Sequence, residues 1–309
     1  MAAPGHRPVS SDAPQPEARR VLEAAASVTN RASLSYYRPP YRRPRRPRRL
    51  VTESAVFAES EELGESNVAL PDVAVASFGD TPFLEAVIGN DDRVKVANSV
   101  LSSNPWRQIC ALRIRSQSDQ LYVGTGWFIS PKTLATAGHC VYLQDDGGWA
   151  KSIDVIPAKF GSSAPFGTMR ATRFSAVDGW TVQSQRDFDY GVIHLDSDAA
   201  GLQTGNFEVR SFSDALLNNV EAKISGYPAD REQAQFQYFH ERPIQRVSAT
   251  RLFYDIDTFG GQSGSPIWED TQENGVIAIG IHTTGGVSSN SGTRISDDVI
   301  DNLISWLEA

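Results

Sequence analysis

Apolar and polar residues alternate in short runs between residues 87 and 295, and almost no helical period separates these runs. The run 107–115 is representative, because it places Cys110, Leu112 and Ile114 on one face and arginines mostly on the other. This alternation predicts a strand that is buried on one face. Many short strands predict an all-β barrel or sandwich rather than a parallel α/β sheet. The other predicted strands cover residues 121–129, 133–137, 153–159, 170–177, 190–195, 222–227, 236–240, 246–254 and 276–283.

The C-terminal end of the chain has a helical period instead. A serine that can cap a helix precedes two aspartates, which suit the positive first turn of a helix. Apolar residues then recur at spacings of three and four. This pattern predicts a C-terminal amphipathic helix that packs on the β-structure. The residues concerned are Ser296, Asp297, Asp298, Val299, Ile300, Leu303, Ile304 and Leu307.

Residues 1–85 differ in composition from the rest of the chain. Pro, Ala, Ser and Glu dominate, apolar periodicity is weak, and the run 38–49 consists mostly of Arg and Pro. Such a composition predicts a disordered leader, whose simplest role is that of a solvated linker. Two other interpretations stay open for the basic run. It is either a processing site for proteases that cut after paired basic residues, or a nuclear or anionic-surface signal.

The net charge of −8 belongs entirely to the later part of the chain. Residues 1–85 contain 11 basic and 11 acidic residues, whereas residues 86–309 contain 18 and 26. An acidic domain is a poor partner for nucleic acid. No apolar run reaches the roughly 18 residues that a membrane span needs, and the N-terminus lacks the apolar segment of a signal peptide. We therefore expect neither nucleic acid nor a membrane as a partner.

One serine stands among glycines in the run 257–266, which reads Asp-Thr-Phe-Gly-Gly-Gln-Ser-Gly-Ser-Pro. The glycines allow a tight turn and a close approach of a substrate carbonyl to the backbone. Ser263 is therefore a candidate nucleophile, and the N–H groups of Gly261 and Ser263 are candidate donors to an oxyanion. Gly/Ser runs are also common in plain loops. The hypothesis needs a base and an orienting acid elsewhere, because an unassisted serine hydroxyl is a poor nucleophile.

Five histidines are available as the base. His139 follows a predicted strand at a glycine turn, so its ring can project from the strand end. His194 is expected to be an outward-facing strand residue, and His6 lies in the leader. Asp189 directly precedes an apolar strand and can orient the imidazole, with Asp187 as the alternative acid.

The order His139, Asp189, Ser263 excludes an α/β-hydrolase, in which the serine comes first and the histidine last. With its surrounding motifs, this order resembles that of the chymotrypsin-like serine endopeptidases, and among them the bacterial-type glutamyl endopeptidases. The resemblance extends from about residue 87 to residue 309. The matching motifs lie at residues 87–93, 124–127, 131–140, 226–228, 257–263, 280–283 and 292–295.

The resemblance implies two antiparallel six-stranded β-barrels, a cleft between them and the C-terminal α-helix. The first barrel, about residues 86–200, would carry His139 and Asp189, and the second, about residues 201–309, would carry Ser263. Ser263 would attack a peptide carbonyl while His139 takes its proton. This mechanism needs no cofactor, and we expect no metal site. The family likeness also implies a secreted monomer that acts on proteins or peptides, with residues 1–85 as its propeptide.

The chain has two cysteines, Cys110 and Cys140. In the family that the chain resembles, the cysteine that bonds to the one after the histidine stands at the position of Gly124. If the strands pair so that Cys110 lies beside Gly124, the thiol reaches Cys140 within the Cα separation of about 4.4 to 6.8 Å that a disulfide tolerates. We expect this bond, and two buried thiols are the alternative.

The residues that would select the P1 side chain of the substrate indicate two different specificities. Asp257 stands where trypsin-like enzymes that select Lys or Arg carry an aspartate. Thr258 and His282 match the residues with which glutamyl endopeptidases recognise a P1 glutamate, and a charged imidazole could pair with its carboxylate. We favour glutamate. The alternatives are Lys/Arg specificity set by Asp257, a His282 that is only a core residue, and a non-catalytic homologue that serves as a binding module.

Activation must differ from that of trypsin, because Gln262 stands where trypsin-type zymogens carry the aspartate that binds the new N-terminus. The composition changes abruptly at residue 86, and a glutamate precedes this border. We therefore expect the leader to be removed at or near the Glu85–Ala86 bond. An enzyme that cuts after glutamate could make this cut itself.

Overall fold

The computed structural model describes residues 3–12, 70–78, 86–218, 220–271, 275–286 and 288–307. Short strands dominate these ranges, as the alternating pattern predicts. The strands are β1 (Pro8–Ser10), β2 (Val94–Lys95), β3 (Ile109–Arg115), β4 (Leu121–Phe128), β5 (Thr133–Thr136), β6 (Tyr142–Leu143), β7 (Gly148–Trp149), β8 (Ser152–Pro157), β9 (Met169–Ala171), β10 (Arg173–Val177), β11 (Gly191–His194), β12 (Glu208–Val209), β13 (Glu221–Gly226), β14 (Tyr238–Pro243), β15 (Arg246–Val247), β16 (Arg251–Tyr254), β17 (Pro266–Thr271), β18 (Gly275–Thr284) and β19 (Asn290–Arg294).

The helices are short, with one exception at the C-terminus. They are α1 (Val75–Phe78), α2 (Asn98–Leu101), α3 (Gly138–Val141), α4 (Asp178–Thr181), α5 (Ala199–Thr204), α6 (Asp214–Leu217) and α7 (Asp297–Leu307), with 3₁₀ turns at Trp106–Gln108, Arg186–Phe188 and Glu232–Ala234. Within the described ranges, no helix combines the length and the apolar character needed to cross a membrane.

Two antiparallel sheets form the body of the molecule. In the described ranges, the first has eight strands in the order β1-β10-β11-β5-β4-β3-β8-β9. The second has nine, in the order β15-β16-β19-β18-β17-β13-β14-β2, with β12 parallel to β18. The predicted all-β class with a C-terminal helix is confirmed. Each sheet contains more than the six strands that we expect, because short strands are added to it. They also shift the predicted boundaries, since β1 of the leader joins the first sheet and β2 joins the second.

Each sheet covers an apolar core, and a third core joins them. Phe128 and Phe174 are buried within the first sheet, whereas Tyr254 and Ile267 are buried within the second. The third cluster combines side chains from both sheets and from α7, and it is rich in aromatic rings. Its largest members are Trp127, Trp180, Tyr190, Trp268 and Trp306. Burial of these large apolar side chains is the main force that holds the two sheets together.

Helix α7 begins as its sequence predicts. The Ser296 hydroxyl accepts a hydrogen bond from the N–H of Val299 at 3.4 Å, and Asp297 and Asp298 follow in the first turn. The buried face includes Val299 and Leu303 from the predicted stripe, together with Asn302 and Trp306.

The prediction of a disordered leader is wrong for its two described stretches. Strand β1 pairs with β10, from Pro8 opposite Val177 to Ser10 opposite Ser175. His6 is buried with Nδ1 2.8 Å from the Tyr190 hydroxyl. Residues 70–78 dock elsewhere, against β4. The basic run 38–49 and Glu85 lie outside the described residues.

The predicted disulfide between Cys110 and Cys140 is wrong because the strand register differs from the one it needs. Cys110 lies opposite Gly126, and Leu112 lies opposite Gly124. The thiol is therefore two residues away from the position that faces Cys140. Both cysteines are buried thiols, and burial raises the pKa of Cys110 well above its usual value.

The same register predicts where a disulfide would form. A Cβ at residue 124 would lie 3.1 Å from Cys140 Sγ, which suits an S–S bond of about 2.04 Å. We expect Gly124→Cys to form this bond under oxidising conditions. Closing a loop of about 15 residues stabilises a protein by about 3 kcal/mol. Thiol titration of the denatured chain should detect only Cys110, and Cys140→Ser in the same background should abolish the gain. Three titratable thiols in the oxidised Gly124→Cys chain would contradict the register.

Candidate active site

His139 and Asp189 meet inside the first sheet. His139 lies in α3, directly after β5, and Asp189 follows the 3₁₀ turn before β11. The backbone N–H of His139 donates to Asp189 Oδ1 at 2.9 Å, and the ring Nδ1 lies 2.7 Å from Oδ2. Both side chains are fully buried. A proton on Nδ1 satisfies this contact, which leaves Nε2 as the ring nitrogen able to take a proton.

The acid is held from both sides, and the alternative acid is not in the site. The hydroxyl of Thr293, on β19 of the second sheet, donates to the backbone carbonyl of Asp189 at 2.9 Å. Asp187 is exposed on the 3₁₀ turn. The contact with Thr293 ties the loop of Asp189 to the other sheet, and Asp189 is the carboxylate that the structure brings to His139.

Ser263 is buried in the loop that precedes β17, and glycine is required on both sides of it. Gly261 and Gly264 have φ angles of +99° and +87°, in the region that favours glycine. A Cβ at residue 264 would collide with Thr125 O and Thr136 Oγ1. The loop therefore lies directly against β4 and β5, the strands that lead to His139.

Thr125 fastens this loop to the first sheet, a role that we did not expect from the sequence. Its N–H donates to the Ser263 carbonyl at 2.8 Å, and its hydroxyl donates to the Gly261 carbonyl at 2.8 Å. The same hydroxyl accepts the N–H of Tyr227 at 3.1 Å. Its position within the family-like Gly-Thr-Gly motif was the only sequence signal that pointed to it.

The backbone N–H of Gly261, one of the two predicted oxyanion donors, has an acceptor in this chain. It donates to Asp72 Oδ1 at 2.9 Å. Asp72 belongs to the leader, and its side chain lies against Gly260 as well. The carboxylate therefore lies at the loop of Ser263, where nothing in the sequence pattern placed it.

His282 is fully buried on β18, next to the Ser263 loop. Its carbonyl accepts the N–H of Gly264 at 2.8 Å, and its Nδ1 lies 2.7 Å from the Tyr254 hydroxyl. Burial, with a smaller contribution from the neighbouring His139, lowers the pKa of His282 to about 3. The imidazole is thus neutral at neutral pH, in contrast to the charged form considered from the sequence. With Tyr254 donating to Nδ1, the ring proton resides on Nε2.

Thr258 and Arg251 complete this buried polar region. The Thr258 hydroxyl is buried and has no hydrogen-bond partner in the described part of the chain. Arg251 donates to the hydroxyls of Thr283 at 3.2 Å and Ser291 at 2.6 Å. Arg251 is close enough to contribute to the low pKa of His282. The sequence predicted Thr258 but missed both Arg251 and Tyr254, because no motif marks them.

Asp257 does not present a free carboxylate. Its Oδ1 accepts the N–H of Ile88 at 2.7 Å, and its Oδ2 accepts the N–H of Asp92 at 3.0 Å. Asn290 binds the same segment, since its side chain exchanges two hydrogen bonds with the backbone of Ala86 at 3.1 and 2.6 Å. Asp257 therefore anchors residues 86–92 to the second sheet.

Within the described ranges, Asp92, His240 and Asp257 form the one group whose ligand atoms lie within 4.8 Å of one another, as a metal site requires. His240 Nδ1 already accepts the N–H of Asp257 at 2.8 Å. Both Asp257 oxygens accept backbone N–H groups as well, so the donor atoms are used by the anchor itself.

His194, expected to face outward, is buried instead. Its Nε2 lies 2.9 Å from the Ser175 hydroxyl, and burial lowers its pKa. It lies on β11, between β10 and β5 in the middle of the first sheet, and it takes no part in the site.

Comparisons with known proteins found similar sequences and a similar structure. The family model described as Trypsin matches residues 96–306. The chain is 38% identical to the glutamyl endopeptidase of Bacillus licheniformis over 230 residues, and 36% identical to a protein of Bacillus subtilis named extracellular metalloprotease over 222 residues. Each match covers 72% of this chain and 69% of the relative. A solved structure of a Glu endopeptidase in complex with MPD superposes with a TM-score of 0.63 at 28% identity, covering 72% of this chain and all of that one.

The anchoring role of Asp257 predicts a loss of stability when its charge is removed. We expect Asp257→Asn to lower the free energy of unfolding by about 1.5 to 3 kcal/mol, because one acceptor oxygen and the negative charge are lost from two partly buried hydrogen bonds. Denaturant unfolding of the full chain measures this change. Asp255→Asn, at a half-buried neighbour, is the matched control. Equal stabilities for the two variants would show that Asp257 does not hold residues 86–92.

Proposed function

The chain belongs to the trypsin family of serine proteases, and from this premise we propose that it is an endopeptidase that cleaves peptide chains after glutamate. Its substrates are proteins or peptides. The observation that carries the proposal is the position of the buried, neutral His282, whose carbonyl binds the N–H of Gly264 in the loop of Ser263. Two glutamyl endopeptidases among the similar proteins support the same preference.

We propose that Ser263, His139 and Asp189 carry out the hydrolysis. Ser263 Oγ attacks the peptide carbonyl while His139 Nε2 takes its proton, and the N–H groups of Gly261 and Ser263 stabilise the oxyanion. His139 then gives the proton to the leaving amine, which leaves an acyl-enzyme. Water, activated by His139 in turn, releases the acid product. In every step Asp189 Oδ2 accepts the hydrogen bond from His139 Nδ1, which lies 2.7 Å away. The proton therefore stays on Nδ1, and Nε2 is the nitrogen that takes and gives the transferred proton.

The preference for glutamate follows from the polar groups that lie beside the loop of Ser263. A P1 carboxylate could accept from Nε2–H of His282 and from the buried hydroxyl of Thr258, which has no acceptor within the described residues. A carboxylate in this place favours the charged imidazole, so that substrate binding raises the pKa of His282. Arg251, held by Thr283, adds a buried positive charge.

The competing functions have weaker support. Lys/Arg specificity would need a carboxylate that faces the substrate, whereas Asp257 uses both oxygens to hold Ile88 and Asp92. A non-catalytic binding module would have no need for the contact between His139 and Asp189.

We further propose that residues 1–85 are a propeptide and that the Glu85–Ala86 bond is cut in maturation. The Ala86 carbonyl accepts the N–H of Thr258 at 3.3 Å, so the new N-terminus would lie beside the proposed glutamate site. The relative named extracellular supports secretion of this protease. We expect it to work as a monomer, without nucleic acid or a membrane.

Loss of the nucleophile should abolish hydrolysis. We expect Ser263→Ala to lower kcat on the order of 10⁵- to 10⁶-fold while the fold is retained, because only one oxygen is removed. A serine-directed organophosphorus reagent should label Ser263 in the active enzyme and leave Ser263→Ala unlabelled. N-terminal sequencing should find the purified Ser263→Ala precursor uncut at Glu85–Ala86. Near wild-type turnover of this variant would refute the catalytic assignment, and normal trimming would refute self-processing.

Specificity is tested with a matched pair of peptides that carry Glu or Gln at P1. His282→Ala should lower kcat/KM for the Glu peptide by an amount equivalent to about 2 to 5 kcal/mol of transition-state stabilisation, the cost of losing one partner of a buried charged pair. The kcat/KM for the Gln peptide should fall far less. Tyr254→Phe should reduce the same preference by a smaller factor, because it frees the His282 proton to move to Nδ1. Faster cleavage after Lys or Arg than after Glu would show that the proposed selection is incorrect.

A further inference from the structure

Residues 70–78, the cleft segment, cross the site that the proposed mechanism uses. Asp72 Oδ1 lies 2.9 Å from the backbone nitrogen of Gly261, and Asp72 itself is only 8% exposed. In the proposed reaction this N–H group receives the negatively charged oxygen of the tetrahedral intermediate. A carboxylate oxygen carries the same kind of charge, so Asp72 occupies the place of the oxyanion.

The backbone of the cleft segment is hydrogen bonded on both sides of Asp72. The N–H of Val73 donates to the Val123 carbonyl at 3.1 Å, and the N–H of Val123 donates to the Pro71 carbonyl at 2.9 Å. These two bonds form a parallel bridge between Asp72 and Val123 on β4. Since Thr125 on the same strand binds the Ser263 loop, β4 holds both the segment and the loop in register.

An apolar side chain fixes the segment more deeply. Val73 is fully buried within the core of the first sheet. Its Cγ1 lies 3.6 Å from the point where a Cβ at Gly124 would be. The missing side chain at Gly124 therefore leaves the space that Val73 fills, and withdrawing the segment would expose this space to water.

The end of the segment covers the proposed base. After Asp72 the chain turns through α1, and the Phe78 ring lies edge-on to His139 with ring centroids 5.3 Å apart. Two other side chains contact the Phe78 ring. The ring centroid of Trp180 lies 5.2 Å from that of Phe78, and Arg186 Cζ lies 5.0 Å from the Phe78 centroid. The Ser77 hydroxyl donates to the His139 carbonyl at 3.4 Å. His139, which must exchange protons with substrate, has no exposed surface in this arrangement.

We propose that residues 70–78 are an inhibitor built into the chain, in which the Asp72 carboxylate takes the position of the oxyanion and Phe78 covers His139. The proposal rests on the proposed roles of Gly261, Ser263 and His139. The leader would then be the ligand that occupies the cleft between the two sheets. Cleavage at Glu85–Ala86 is then insufficient for activity, because β1 still tethers the leader to the first sheet and keeps the segment at a high local concentration.

The test measures how fast an organophosphorus reagent labels Ser263 in the full chain. All chains carry Glu85→Gln, which blocks the proposed maturation cut, and mass spectrometry verifies their length. We expect Asp72→Asn to be labelled at least about tenfold faster than the parent, because a charge-assisted hydrogen bond to Gly261 becomes a neutral one. Phe78→Ala should also be faster, and it replaces Asp72→Asn if that variant does not fold. Asp12→Asn, an exposed acid of the other leader stretch, should equal the parent.

The outcomes separate this proposal from the function on which it rests. Rapid and equal labelling of the parent, Asp72→Asn and Phe78→Ala would overturn the inhibition alone. A parent that is labelled slowly and becomes reactive once the leader has been digested away supports it. If Ser263 stays unlabelled even after the leader has been removed, the catalytic assignment fails, and the inhibition fails with it.

Discussion

The structure depends on the hydrogen bonds through which Thr125 holds the Ser263 loop against the first sheet. General acid–base catalysis requires donor and acceptor atoms to approach within about 3 Å, although the histidine and the serine here belong to different sheets. Thr125 binds the carbonyls of Gly261 and Ser263, and its own carbonyl accepts the Thr136 hydroxyl at 2.7 Å. One residue therefore connects the loop to the strand that precedes His139. Glycine at residue 264 is the steric counterpart, because any side chain there would separate the two surfaces.

Burial decides the electrostatics of this site. His282 is kept neutral because its surroundings contain little solvent and already hold the cation Arg251. A neutral imidazole recognises an acceptor in the substrate through the direction of its N–H bond, which Tyr254 sets. The imidazole becomes charged only when a substrate carboxylate binds beside it. Asp257, one residue before Thr258, is prevented from acting on substrate by two backbone N–H groups. The anchor of residues 86–92 and the proposed glutamate site thus use adjacent residues for opposite purposes.

The leader shows how a chain with weak apolar periodicity can still dock. Its composition cannot support a core of its own, and on that basis we expected disorder. The described stretches need no such core, since they add single side chains and short strands to surfaces that already exist. Val73 fills the space beside Gly124, His6 contacts Tyr190, and β1 extends the edge at β10. Contacts of this kind depend on the receiving surface, which lies far away in the sequence.

The sequence by itself determined most of the longer strands, though not β17 or β19, and it determined the capped helix α7. It also determined which histidine and which aspartate meet, His139 and Asp189. Local alternation records which face of a strand is buried, and short motifs record tight turns. The tertiary structure alone decided the register of β3 on β4, which set Cys110 opposite Gly126 instead of Gly124 and left both cysteines as thiols. It also decided that His194 is buried between neighbouring strands, that Asp257 is an anchor, and that Asp72 reaches Gly261. Register, burial by distant elements and hydrogen-bond partners depend on residues remote along the chain, so no local pattern contains them.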